Sequence, residues 1–328
     1  MTAAKTTVDP VDLSTNPNAA VALPGGPAEK IEPVFYREML YGGMTIIFVS
    51  IAGCWLTSIQ VPNAGPKAVG FVLVGAMILP LLLYLKEKKK DYLLDSILTI
   101  LWALFLNILI RYPAAVSARL GKGIELQDAH FVHFDRLLGV SIPAIMAWAS
   151  RHWIGMVAYR SYNLLTPLLV LSILLPIAVG KLKRAQQFVT ANLAAFAMGL
   201  PLFALLPAVG PWYGYHFSAG PDFAACQAAL LLIRQPGPRL FQSAGFVCFP
   251  SFHTIWAILC AQALWGIRLL RIPVTILSGL IVFSTMSTGW HYSCDVLAGI
   301  VIAVVAIAVA KVVSGDWRLN PRSRGRVA

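Results

Sequence analysis

Stretches of about twenty apolar residues recur along this chain, and about that length is what a helix needs to cross a bilayer. Eight can be drawn: Tyr41–Val61, Ala68–Leu85, Tyr92–Ile110, Ile154–Val179, Phe188–Leu206, Phe252–Leu269, Pro273–Trp290 and Asp295–Val312. The 328 residues are 58% hydrophobic and 12% charged. A soluble domain runs at about 45–50% and about 25%. This balance excludes a disordered chain, a disulfide-stapled secreted domain and an ordinary cytosolic enzyme. The expected fold class is all-α: a polytopic membrane protein with about eight transmembrane helices.

The few charges are asymmetric, with 26 Lys and Arg against 14 Asp and Glu, a net +12. On a soluble protein this would suggest nucleic acid; here basic loops explain it and no nucleic-acid partner is expected. Lys86 and Lys88 to Lys90 follow the second span, and Lys181, Lys183 and Arg184 the fourth. Arg268 and Arg271 separate the sixth and seventh, and Lys311, Arg318, Arg322, Arg324 and Arg326 end the chain. Eight spans put all four clusters on one side, which the positive-inside rule makes cytoplasmic, together with both termini. Residues 1–35 read as a disordered tail rather than a signal peptide. Residues 36–91 hold two N-terminal spans, 92–313 the remaining six, and 314–328 a basic tail. Two long segments face outward, residues 111–153 and 207–251. The stretch Phe131–Trp153 in the first reads as an amphipathic helix lying along the interface.

All six histidines fall on the outer side. His130, His133, His152 and His216 read as interfacial aromatics with a polar handle. His253 and His291 differ. The first stands in Pro250-Ser251-Phe252-His253, at the start of the sixth span; the second in Trp290-His291-Tyr292-Ser293-Cys294-Asp295, before the eighth. One helix down and one back separate them, so they return to the same face. His291 and Asp295 are four apart, on one side of a helical start. A carboxylate on one imidazole nitrogen fixes the tautomer and sharpens the other as a nucleophile. Ser251 is placed to cap a helix whose positive N-terminal end suits a phosphate. His253, in its first turn, is placed to protonate a leaving oxygen. Asp295 opens an otherwise apolar span, and an ionisable group there is a functional hypothesis with His291 as partner. Together these residues outline a metal-free phosphoryl-transfer site with no cofactor.

At these positions the sequence resembles the type 2 phosphatidic acid phosphatase superfamily. Pro250-Ser251-Phe252-His253 matches that family's second motif. Ser284, His291 and Asp295 match the spacing of its third, followed by Val296-Leu297-Ala298-Gly299. The resemblance implies a six-helix catalytic membrane core over residues 92–313, with His291 as nucleophile, His253 as acid and base, and Asp295 as orienter. It also implies a lipid-phosphate phosphatase or phosphotransferase. Two departures stand out. The first motif is absent before Pro250, where Leu206-Pro207-Ala208-Val209-Gly210-Pro211-Trp212 stands instead. The arginine of the third motif is Thr285. Both departures, and the run His133-Phe134-Asp135-Arg136-Leu137-Leu138-Gly139, are similar to the branch containing inositolphosphorylceramide synthases. That branch implies headgroup transfer to an alcohol such as inositol as the alternative to hydrolysis.

Loss of those cations leaves the phosphate to other groups. The outer-side candidates are Arg111, Arg119, Arg136, Arg160, Arg234 and Arg239. Arg160, inside the outer end of the fourth span, is the expected phosphate contact together with Ser251, because an arginine there is costly unless paired or wet. Cys226 and Cys248 share the second outer segment and are a candidate disulfide. No cysteine and histidine spacing resembles a zinc site. The expected location is a bacterial inner membrane, with the site facing the periplasm. Two alternatives of another class are a lipid transporter and a non-catalytic lipid-binding relative. An intramembrane serine protease lacks the glycine setting its nucleophile needs.

Overall fold

The computed structural model describes residues 33–61, 64–218, 220–240 and 247–316. The first 32 residues of the expected N-terminal tail, and most of the basic C-terminal tail, lie outside the described residues. The helices are α1 (Pro33–Leu56), α2 (Ala64–Glu87), α3 (Asp91–Leu109), α4 (Arg111–Leu120), α5 (Asp128–Leu137), α6 (Ile142–Arg151) and α7 (Trp153–Asn163). They continue with α8 (Leu165–Ala178), α9 (Leu182–Leu205), α10 (Pro211–Gly214), α11 (Pro221–Arg234), α12 (Phe252–Leu264), α13 (Arg271–Ser287) and α14 (Ser293–Val313). A two-residue parallel pairing joins Ile59–Gln60 to Arg239–Leu240.

The protein is an all-α polytopic membrane protein. Among the described residues, five helical segments are long and apolar enough to cross a bilayer: Phe35–Leu56, Asp91–Gly123, Leu182–Leu205, Arg268–Ser287 and Ser293–Val313. The pair α7 and α8 makes a sixth if taken as one span, bent by 56°. That bend corrects the straight fourth span read from the sequence. Pro167 lies in the first turn of α8, where its missing N–H costs nothing. Its ring opposes the carbonyl of residue 163, so the helix before it cannot continue straight. The sixth expected span is also shorter than drawn, because α12 ends at Leu264 after 13 residues.

The first outer segment is not a loop with one interfacial helix. Helical backbone runs through Ile110 into α4. The stretch 131–153 is divided between α5 and α6, because Gly139 takes a left-handed turn (φ +69°) and Ser141 then caps α6 by accepting from the Ala144 N–H. The second outer segment carries α10 and α11.

The helix α12 is central, packed by α8, α9, α13 and α14. In lipid, helix association rests on close packing rather than apolar transfer, so small residues mark the seams. Gly299, Ala303, Ala306 and Ala310 form such a stripe on α14, all buried. Gly299 matters most. A Cβ there would sit 2.8 Å from the Ser251 carbonyl oxygen and 3.0 Å from the Thr254 Cβ. This close approach lets the starts of α12 and α14 meet.

The described basic clusters gather at the opposite end. The Lys181 ammonium donates to the Gly266 carbonyl, Arg184 to that of Gln262 (3.2 Å), and Lys183 pairs with Asp316 (2.5 Å). The Tyr92 hydroxyl, just after the Lys86–Lys90 cluster, donates to the Ile177 carbonyl. The turns after α2, α8 and α12 and the end of α14 therefore share one end of the bundle.

Candidate active site

Ser251 is the N-cap of α12, its hydroxyl accepting from the Thr254 N–H (3.3 Å) and hydroxyl (3.1 Å). The capped helix presents His253 in its first turn. Across the seam, Asp295 lies in the first turn of α14, and its Oδ2 accepts from His291 Nδ1 (3.2 Å) and from the Tyr292 N–H (2.8 Å). The Ser251 N–H donates to the Asp295 carbonyl (3.1 Å), so the two helix starts are tied through one backbone bond. Ser251 and Asp295 are fully buried, and His291 is 4% exposed.

The two histidine rings face each other, with centroids 5.8 Å apart. Tyr162, in the last turn of α7, stacks on His253 at 4.5 Å, and Trp256 meets it edge-on at 6.1 Å. Both imidazoles line a cavity of about 390 Å³. Its wall is mainly apolar, with Phe196, Leu200, Trp212 and Trp290 among the rings and side chains that enclose the histidines. A few polar groups converging in an apolar cavity are the expected form of a small-ligand or catalytic site.

The structure separates the six candidate arginines. Arg119 is buried and donates to the carbonyls of Thr57 (3.2 Å), Ile233 (3.0 Å), Gln235 and Gly237 (2.6 Å). Arg234 donates to the Ile124 carbonyl (2.5 Å) and Arg239 to that of Pro236 (2.8 Å). These three hold loop backbone. Arg136 and Arg160 are exposed, and neither lines the cavity. Arg111, at the junction of α3 and α4, does line it. Ser251 is not part of the wall either; its hydroxyl is engaged by Thr254.

The cysteines also fall differently from the sequence expectation. Cys226 and Cys248 both line the cavity, yet neither is in a disulfide. The Cys248 thiol instead donates to Asp295 Oδ2 (3.2 Å). Burial, with Asp295 alongside, pushes that thiol well above its ordinary pKa.

Two carboxylates that sequence reasoning left without a role hold the turn beside the site. Asp128 and Asp135 are seven apart on α5, two turns along one face. Asp128 accepts from the N–H groups of Val209 (3.0 Å) and Gly210 (2.9 Å), and the Tyr292 hydroxyl lies 2.9 Å away. Asp135 accepts from the Ser293 N–H (3.0 Å), the Ser293 hydroxyl and the Tyr215 hydroxyl (3.0 Å). Burial raises both carboxyls, while these donors pull the other way. The pair clamps residues 209–215 and 292–293 onto α5, and so fixes the turn that carries His291 and Asp295. The seven-residue spacing on a helix was the available signal. Their partners are mostly backbone N–H groups and tyrosines far along the chain, which no motif displays.

His130, His133, His152 and His216 are exposed and remain outside this cluster. His152 stacks on Trp148 at 4.5 Å.

A family model described as PAP2 superfamily matches residues 129–309, more than half of the chain. No curated protein and no solved structure matches. The chain belongs to the PAP2 superfamily, and that membership supports a phosphatase-type activity on lipid phosphates.

Proposed function

We propose that this PAP2 superfamily member cleaves a membrane lipid phosphate through a phosphohistidine on His291, at the outer face of a bacterial inner membrane. One observation carries the reading: an imidazole oriented by a buried aspartate faces a second imidazole across the end of one cavity.

With Nδ1 hydrogen-bonded to Asp295, His291 keeps Nε2 as the nucleophile. Its lone pair attacks phosphorus, the bond from phosphorus to the lipid oxygen breaks, and His253 gives its proton to that oxygen. In the second step a water or alcohol oxygen attacks, the P–N bond breaks back onto His291, and the incoming proton passes to His253. Asp295 balances the positive charge that the imidazole carries between the steps. Charge also spreads over the transferring oxygens, which calls for a fixed cation. Arg111 fills that role in this reading, and Ser251 sets the start of α12 rather than binding phosphate itself.

Arg111→Ala is therefore expected to lower kcat/KM about 10- to 100-fold. Arg160→Ala is expected to change it less than about twofold, as for an exposed substitution away from the site. Steady-state kinetics with a short-chain phosphatidic acid in detergent measures both.

Headgroup transfer is the second reading, favoured by a second cavity of about 830 Å³. It shares Tyr162 and Trp290 with the first and adds Arg151, Asn163, Asp222 and Thr288. That lining suits a polar acceptor delivered beside the histidines. The test of both readings is a panel of lipid phosphates incubated with the purified protein, with and without free inositol. Phosphate release supports hydrolysis, and a new phospholipid that needs inositol supports transfer. Neither product from any lipid phosphate would refute the function.

A further inference from the structure

Cys248, His291 and Asp295 bring a sulfur, a nitrogen and an oxygen within 4.8 Å of one another, all three buried. Sequence spacing gives no hint of this, because Cys248 lies 43 positions before His291 and belongs to a different segment. The geometry points to a second use of these atoms: we propose that they form an inhibitory site for a soft divalent cation of the zinc class, bound in place of the hydrogen bonds of the catalytic dyad.

The distances support this. Zinc binds nitrogen and oxygen at about 2.0–2.1 Å and thiolate at about 2.3 Å in a tetrahedron, so neighbouring ligand atoms lie about 3.3–3.6 Å apart. Here Nδ1 of His291 and Sγ of Cys248 each lie 3.2 Å from Oδ2 of Asp295. These two contacts already approximate two edges of such a tetrahedron, so small shifts admit the ion. The charges also close. One thiolate and one carboxylate neutralise a divalent ion in a buried place, where an uncompensated charge is costly. The donor types separate the classes of ion, since thiolate and imidazole select zinc or cadmium over magnesium and calcium. Access exists, because Cys248 and His291 both line the 390 Å³ cavity. Water or a substrate oxygen completes the fourth position.

The inhibitory direction rests on the phosphohistidine reading above. A cation on Nδ1 takes the place of the proton that Asp295 holds. The neutral ring then carries its own proton on Nε2, which loses the lone pair that attacks phosphorus. Binding releases the thiol proton of Cys248, while the Nδ1 proton of His291 moves to Nε2 so that the ring stays neutral, and no electron is transferred.

The test has a binding arm that does not depend on activity. Zinc affinity of the detergent-purified protein is measured by competition with a chromophoric chelator, for wild type, Cys248→Ala and Cys226→Ala. Cys226 lines the same cavity but lies outside the cluster, so it controls for the loss of a cavity thiol. The expected result is one tight zinc in wild type and in Cys226→Ala, weakened about tenfold or more in Cys248→Ala. Cadmium added to wild type should give a thiolate charge-transfer band, so the proposal stays testable if Cys248→Ala does not fold. Absence of a 1:1 ion, or equal affinity in all three proteins, overturns the site. In the activity arm, zinc should inhibit wild type and Cys226→Ala at concentrations about tenfold or more below those needed for Cys248→Ala. Activation by zinc would overturn the inhibitory role. If the protein showed no lipid-phosphate activity, the binding arm would still decide the metal site, so the two failures are distinguishable.

Discussion

His291→Gln is expected to reduce turnover of a lipid phosphate by about four to six orders of magnitude, the loss seen when a covalent nucleophile is removed from a machine that acts as a unit. Glutamine keeps much of the volume and a hydrogen bond toward Asp295, so the fold should persist and the loss should fall on kcat. His253→Gln should cost less, about 10²–10⁴, since it removes general acid and base assistance but leaves the nucleophile. The two variants are separable by leaving group. An aryl phosphate departs without protonation, so His253→Gln should regain much of its first step with that substrate and accumulate labelled phosphohistidine. His291→Gln should do neither. Quenched-flow kinetics with acid-labile, base-stable label on the protein measures this. Wild-type turnover in both variants would falsify the mechanism.

The largest expected effect on stability is at a residue with no direct part in the chemistry. Asp128→Ala strands two buried N–H groups, of Val209 and Gly210, and removes the carboxylate beside the Tyr292 hydroxyl. Leaving such donors unsatisfied costs about 1–3 kcal/mol each, and breaking a buried charged network about 3–5 kcal/mol in all. Unfolding in detergent should shift by that amount, and activity should fall with it because the His291 turn loses its anchor. Glu125→Ala, exposed three residues earlier, should stay within about 0.5 kcal/mol of wild type. Thermal unfolding of the purified proteins, followed by tryptophan fluorescence, tests the contrast. Equal stability of the two variants would remove the clamp from the account.

That His253, His291 and Asp295 come together was legible because the geometry is local. His291 and Asp295 are one helical turn apart, and one α-helical hairpin must bring His253 back to them. The features that escaped depend on distant partners. Asp128 and Asp135 act through backbone donors about 80 and 158 positions away, and composition weighs a buried carboxylate no differently from a surface one. Cys248 appeared to belong with Cys226 because both share a loop; packing instead turned its thiol to Asp295. The bend at Leu164 had a cue in Pro167, hidden because a proline in a helical first turn is ordinarily harmless. The choice among arginines was set by which of them lines the cavity, information that exists only after folding.

The shortness of α12 carries a consequence for how a lipid meets the enzyme. Thirteen residues make a rod about 20 Å long, whereas the hydrocarbon slab is about 30 Å thick. Were the Leu264 end of α12 set at one boundary of such a slab, with the helix along its normal, the His253 end would stop about 10 Å short of the other. A phosphate reaching the proposed nucleophile would then dip below the plane of its neighbours' headgroups while its acyl chains stay in oil. Either the surrounding leaflet thins or the headgroup sinks into a polar dimple, and each costs a fraction of a kcal/mol per Å of mismatch. Turnover should for that reason depend on bilayer thickness, with shorter-chain host lipids favouring the enzyme even when the substrate itself is unchanged.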